Sequence, residues 1–319
     1  MKRLVCCGKK SLYIGLSFLF VPLSISEPIT PILTPHDLDE GAVQLGKRLF
    51  HSVELSGDNS VSCASCHKVD GGGDDDLRFS IGVGGQIGPI NAPTVLNSSL
   101  NAFQFWDGRA ETLEQQAEGP IHNPLEMNSS WQEVIQKLSV NRDWVEEFRD
   151  IYPDGITATN IARAIASYEK ALVTPGSPFD RYLLGEESAI TDRAKEGYRL
   201  FIQMGCVSCH QGQNVGGNMF QQFGIMGDYF RDRGAVTEAD YGRFNVTGKE
   251  SDRFKFKVPG LRNVAKTAPY FHDGSVETLA EAIRTMARYQ LGRGISDSQV
   301  QAIEAFLRSL SGEVREDLQ

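Results

Sequence analysis

The sequence predicts an all-α protein made of two similarly built helical units, and three observations carry that prediction. The pattern C-x-x-C-H occurs twice, as C-A-S-C-H at 63–67 and C-V-S-C-H at 206–210. The stretches around the two copies match one another in the same order. Apolar residues recur at helical spacing in both halves, whereas strand-like alternation is scarce.

The chain starts with Lys2, Arg3, Lys9 and Lys10, followed by an apolar run from Ile14 to Leu23. Ser24-Ile25-Ser26 places small residues where a cleavage site needs them. Residues 1–26 therefore read as a secretory signal peptide, too short for a stable membrane anchor, and the mature protein is expected in the periplasm. Cys6 and Cys7 precede the apolar run and leave with it. Losing those four positive charges shifts the formal balance from −9 to −13. Such acidity argues against nucleic acid and against anionic membrane surfaces as partners. The 319 residues suffice for two domains with their own cores.

All four cysteines of the mature chain, Cys63, Cys66, Cys206 and Cys209, fall within the two C-x-x-C-H patterns. A redox pair or a zinc site is the other use of such spacing. Two copies, an export signal and no spare cysteine favour covalent attachment of c-type haem: two thioethers hold each porphyrin, and His67 or His210 reaches its iron from one side.

The repetition extends further. Gly46-Lys47-Arg48-Leu49-Phe50 precedes the first copy and Gly197-Tyr198-Arg199-Leu200-Phe201 the second, each ending a helical pattern. P-T-V-L-N (93–97) is answered by P-G-L-R-N (259–263), and F-W-D-G-R-A-E-T-L (105–113) by F-H-D-G-S-V-E-T-L (271–279). This is an internal duplication. Ile161, Ile165, Tyr168 and Leu172 mark one apolar helical stripe. Val276, Leu279, Ile283 and Met286 mark another, with Ser275 as its expected N-cap. Ser296 to Gln299 forms a capping box that opens a last helix. Thr174-Pro175-Gly176-Ser177-Pro178 is the candidate linker. The expectation is two cytochrome c-like haem domains, an N-terminal one over 27–175 and a C-terminal one over 176–319.

The two units differ on the far side of the haem. Met286 follows His272 by fourteen residues on a helical apolar face. A thioether there, opposite histidine, gives a haem suited to electron transfer. Met219 and Met226 are rival ligands, and a core methionine is the plainer use of such a position. The same offset in the first unit lands on Pro120, in a region containing Gln116, His122, Glu126 and Met127. A haem with one protein ligand and a carboxylate nearby can bind a small oxidant. The carboxylate can then move a proton between its oxygens, although a solvated loop residue is the simpler reading of Glu126. Asp74-Asp75-Asp76 reads as a solvated turn, and Trp131 and Trp144 as packing residues.

S-C-A-S-C-H, Q-F-W-D-G-R-A, E-Q-Q-A-E-G-P, N-P-L-E-M, T-A-P-Y-F-H-D-G and M-A-R-Y-Q-L-G together resemble the bacterial di-haem cytochrome c peroxidases over nearly the whole mature chain. The resemblance implies a hydrogen peroxide-reducing N-terminal haem and an electron-receiving C-terminal haem ligated by Met286. It implies Glu126 with Gln116 as the acid/base pair, Trp106 between the haems, and calcium held by Asn91, Thr267 and Pro269. It further implies a small cytochrome c or cupredoxin as electron donor, and a homodimer. Two alternatives stand beside it. One is a non-catalytic di-haem electron carrier. The other is a di-haem enzyme that oxidatively matures a partner protein; relatives of that kind carry Tyr at the Met286 position. One departure is local: many resembling enzymes read S-I-G-H-G where this chain reads S-I-G-V-G (80–84), so Val83 stands where their loop histidine caps the first iron.

Overall fold

The computed structural model describes residues 27–319, so the expected signal peptide lies outside the described residues. Helix dominates. The first unit contains α1 (Glu40–Phe50), the single turn α2 (Cys63–Cys66), α3 (Leu113–His122), α4 (Trp131–Ser139), α5 (Arg142–Ile151) and α6 (Ala158–Ala171). There follow α7 (Pro178–Leu183), α8 (Asp192–Met204), α9 (Tyr229–Arg233), α10 (Phe244–Thr247), α11 (Leu279–Tyr289) and α12 (Asp297–Arg308). Two short strands, β1 (Phe220–Gln222) and β2 (Lys255–Lys257), pair antiparallel with Phe220 opposite Lys257. No helix among the described residues is long and apolar enough to cross a membrane.

The duplication is visible in the packing. α1 crosses α6 at Gly46, where any Cβ would run into the Ala164 carbonyl and stand 2.9 Å from the Tyr168 Cβ. α8 crosses α12 at Gly197 in the same way, against the Ala302 carbonyl and 2.9 Å from the Phe306 Cβ. Only glycine permits so close an approach of two helices. The crossings bring Phe50 to 5.2 Å from Tyr168 and Phe201 to 5.2 Å from Phe306, centroid to centroid. Leu45, Leu49 and Phe50 are fully buried in the first core, as are Phe306 and Leu310 in the second. Each such side chain contributes about 1.5–3 kcal/mol relative to exposure.

Unusual backbone is duplicated too. Asn97 and Asn263 have φ of 60° and 59°, and Phe105 and Phe271 have 66° and 72°. Asparagine tolerates the left-handed region; for phenylalanine it costs about 1–2 kcal/mol. The surroundings enforce it by pairing Gln104 with Ala110 and Tyr270 with Val276, which closes the two F-x-D-G turns.

Four local expectations change. α11 starts at Leu279 behind the N-cap Thr278, whose side chain accepts from the Glu281 N–H. Val276 is held in its bridge instead, and Ser275 lies 2.9 Å from the Tyr229 hydroxyl. α8 runs on past Phe201 to Met204 and ends at Gly205 in the left-handed conformation. Asp74 and Asp75 are buried, and their turn packs at Gly72 directly against the Lys266 carbonyl. The candidate linker is no solvated spacer: Thr174 and Ser177 are buried, and Thr174 Oγ1 accepts from both Asn97 (2.9 Å) and Asn263 (3.0 Å).

Candidate haem sites and the contact between them

Each C-x-x-C-H folds as one tight turn. Ser62 and Ser65 cap the first turn reciprocally, and the His67 N–H donates to the Cys63 carbonyl at 3.0 Å. The His210 N–H donates to the Cys206 carbonyl, also at 3.0 Å. In the second turn both sulfurs and the imidazole line one cavity. None of the four cysteines is in a disulfide. Burial pushes the Cys63 thiol up to about 12 and the Cys206 thiol to about 11. Burial also lowers both histidines, His210 to about 4, which keeps each ring in the neutral form that ligates metal. His67 Nδ1 lies 3.2 Å from the Gly73 carbonyl, which leaves Nε2 for a metal. Buried His210 Nδ1 has no bonded partner among the described residues.

Beside the second turn lies a cavity of about 560 Å³ lined by Cys206, Cys209, His210 and Met286, with apolar walls from Leu279, Ile283 and Leu307. Thiols, neutral imidazole, thioether and apolar wall in one cavity fit a covalently held haem. Met219 and Met226 are not among its lining residues, and Met226 is exposed.

In the first unit α3 takes the place of α11, with N-cap Thr112 answering Thr278. Pro120 stands where α11 carries Met286. Beyond α3 the chain folds back, and Asn123 Nδ2 donates to Glu126 Oε1 at 2.6 Å. Burial raises the Glu126 carboxyl above its ordinary value, while the Asn123 bond and Arg109 oppose the shift. Gln116 sits on α3, half-buried, one turn before Pro120, and no hydrogen bond joins it to Glu126. His122 is exposed and packs its ring edge on Trp131, 5.9 Å away, whereas Met127 is buried in the first core. Trp144 is buried and Trp131 packs on the same core, as expected of packing residues. Val83 is buried, and its N–H donates to the Glu126 carbonyl at 2.9 Å. The glycine-rich loop is thus docked on the segment that presents Glu126.

Trp106 lines the cavity at the junction of the units. Its Nε1 donates to the Asn91 carbonyl at 3.0 Å, and its carbonyl accepts from Lys257 N at 2.8 Å. Its ring meets the His272 ring edge-on at 6.4 Å, and these two residues are equivalent in the duplication. Asn91, Thr267 and Pro269 line the same cavity. The Asn91 amide nitrogen is used by the Leu77 carbonyl at 2.9 Å, which leaves Oδ1, a hard oxygen donor, uncommitted.

The sequence reading did not include Arg233 or Asp240. His272 Nε2 lies 2.7 Å from Asp240 Oδ1, and Arg233 reaches Asp240 at 2.6 Å and Asp273 at 2.5 Å. Burial alone would raise the Asp240 carboxyl, but bonds from His272 and Arg233 outweigh it and hold it far below its usual range. The Phe256 ring stacks on His272 at 4.3 Å. Asp240, His272 and Asp273 are close enough together to hold a metal, but Arg233 already pairs with both carboxylates. Only the equivalence of His272 with Trp106 hinted at this network in the sequence.

Residues 40–188 match the family Di-haem cytochrome c peroxidase, and residues 194–311 match Cytochrome c. The chain is 45% identical to cytochrome c551 peroxidase of Nitrosomonas europaea, over 98% of this chain and 93% of the relative. It is 50% identical to cytochrome c peroxidase Ccp of Escherichia coli over 90% of this chain, which spans 62% of that longer relative. A solved MauG-like protein associated with microbial copper homeostasis superposes with a TM-score of 0.77 at 29% identity, covering 94% of this chain and 97% of the other. Two C-x-x-C-H turns, two helical units packed alike and these similarities agree: the chain is a c-type haem enzyme that belongs to the di-haem cytochrome c peroxidase family.

Proposed function

We propose that this protein reduces hydrogen peroxide to water in the periplasm, drawing electrons one at a time from a small cytochrome c or cupredoxin. The observation that carries the reading is the asymmetry of one duplicated position. α11 offers Met286 to the cavity that holds His210, whereas α3 offers Pro120, which has no donor atom, beside the half-buried Glu126. When bound, the first haem supplies an iron at which peroxide is reduced and the second supplies a store for one electron.

The residues divide the remaining work. His67 and His210 are the proximal ligands, with Met286 the second ligand in the C-terminal unit. Glu126, held by Asn123, takes a proton from one peroxide oxygen and returns it to the leaving one, with Gln116 orienting the substrate. Trp106, pinned between Asn91 and Lys257, carries electrons across the junction. Asn91, Thr267 and Pro269 hold a calcium ion that stiffens this junction, and the protein works as a homodimer. Met286 in place of Tyr favours this reading over maturation of a partner protein.

The deciding experiment is paramagnetic resonance and electronic spectroscopy of the oxidised and half-reduced protein, with peroxide turnover followed alongside. One six-coordinate His/Met haem and one haem with an open position are expected. Two haems, each with two protein ligands in both redox states, would make the protein a carrier.

A further inference from the structure

α6 and α12 correspond residue for residue. Gly46 and Gly197 press on the carbonyls of Ala164 and Ala302, and the N–H groups of Asn97 and Asn263 point to the carbonyls of Leu172 and Leu310. In that register Leu307, which lines the second haem cavity, corresponds to Glu169. Glu169 is only 6% exposed, and its Oε2 has no hydrogen-bond partner among the described residues. An unpartnered buried carboxyl destabilises a fold where leucine would fit.

Its surroundings give it a direction. The Cys63 thiol, raised chiefly by its burial, is raised further by the carboxyls of Glu169 and Glu126. Both acids thus act electrostatically on the first haem attachment, and Glu169 also stands at the register position that in the second unit lines the haem cavity. Burial, helped by Glu114 and opposed by Lys170, lifts Glu169 to about 8. Those two are the charged groups that act on it. Glu114 comes from α3 and pairs with Lys170 at 2.6 Å on the surface, while α1 contributes Gly46 and Phe50 to the packing.

We propose that Glu169 is a second proton-holding carboxylic acid of the first haem pocket, refilled from solvent past Glu114. The inference rests on the peroxide reading above. Reducing one peroxide breaks its O–O bond and consumes two donor electrons and two protons to leave two waters. Glu126 can move only a proton that the peroxide already carries. Glu169 supplies one of the two that must come from outside and, once refilled from solvent, the other.

Glu169→Gln and Glu169→Leu test this. In the wild type, stability should fall as pH rises from the ordinary 4.5 towards 8, because the folded state must keep a proton that the unfolded chain releases. Both variants should lose that decline, and the wild-type-minus-variant infrared difference at pH 7 should contain a carboxylic acid C=O band. Peroxide turnover should drop by about 10²-fold, and the loss of rate above pH 8 should disappear. A Glu169→Leu protein with wild-type turnover and an unchanged pH profile overturns the proposal, as does a wild-type protein without the infrared band. If Glu126→Gln is inactive in the same assays, that failure is confined to Glu169. A wild-type protein that leaves peroxide intact overturns both readings.

Discussion

Replacing Gly82 with alanine should disable the first site from outside it. The backbone there, φ −94° and ψ −163°, is one that alanine adopts freely, so the substitution adds no conformational strain. The methyl has no room. Its Cβ would overlap the Leu125 carbonyl oxygen and stand 2.6 Å from the Glu126 carbonyl oxygen and 2.8 Å from the Glu126 Cα. These are backbone atoms and cannot rotate away. To restore ordinary contact, the loop or the Leu125–Glu126 segment must recede by about 1 Å. Lifting the loop breaks the Val83 N–H bond to the Glu126 carbonyl (2.9 Å). Moving the segment displaces the Glu126 carboxyl.

Overpacking of this kind costs about 1–3 kcal/mol, and a displacement of that size at a catalytic group lowers the rate by about 10²-fold. The assay is single-turnover peroxide reduction with thermal unfolding and haem content measured in parallel. The control is Gly84→Ala. Gly84 faces open space but has φ 62°, so alanine there carries about 1–2 kcal/mol of backbone strain without touching Glu126. Gly82→Ala should lose turnover far beyond Gly84→Ala at similar stability. Equal turnover in the two would refute the argument that the loop positions Glu126.

Glu126→Gln should lose about 10²–10⁴-fold in turnover with haem content unchanged, and near-wild-type rates would remove Glu126 from the mechanism. Met286→His should lower the second haem's reduction potential and abolish the thioether-to-iron charge-transfer band; an unchanged band would exclude Met286 as ligand. Fully oxidised protein should react with peroxide without prior reduction, because Val83 has no donor atom to cap the first iron. A wholly low-spin resting spectrum, unreactive until one electron is added, would point to Met127 or His122 as a substitute cap.

What was legible in the sequence is what depends on short spacing. The C-x-x-C-H turns, the Ser296 capping box and the stripe through Ile161, Ile165 and Tyr168 are set by residues within a few positions of one another, and the structure shows each. The order of matching segments also revealed the duplication. Partners distant in the chain were not legible. Asp240 reaches His272 across 32 positions from a stretch without a repeated motif. Thr174 looked like linker because Pro175 and Gly176 follow it, yet two asparagines 77 and 89 positions away fix its hydroxyl. The start of α11 shifted for a related reason: Ser275 and Thr278 are both acceptable caps, and the pairing of Val276 with Tyr270 decided between them.

The pattern of change between the units explains why both were kept. The backbone devices are the same in each copy: a glycine at the helix crossing, a left-handed asparagine, a left-handed phenylalanine ahead of a closed turn. Beside Glu126 and Gln116 of the first unit, the proposed division of labour rests on three contrasts at equivalent positions: Pro120 against Met286, Glu169 against Leu307 and Trp106 against His272. Equivalent residues of two copies can meet only near the axis that relates them. Trp106 and His272 do meet, and Asn97 and Asn263 share one Thr174 hydroxyl, so both pairs mark that axis. An electron passing between the haems must cross this junction. One F-x-D-G turn from each unit therefore stands at the crossing. Trp106 holds the second position of its turn, and its equivalent His272 is anchored to Asp240, with Arg233 behind it.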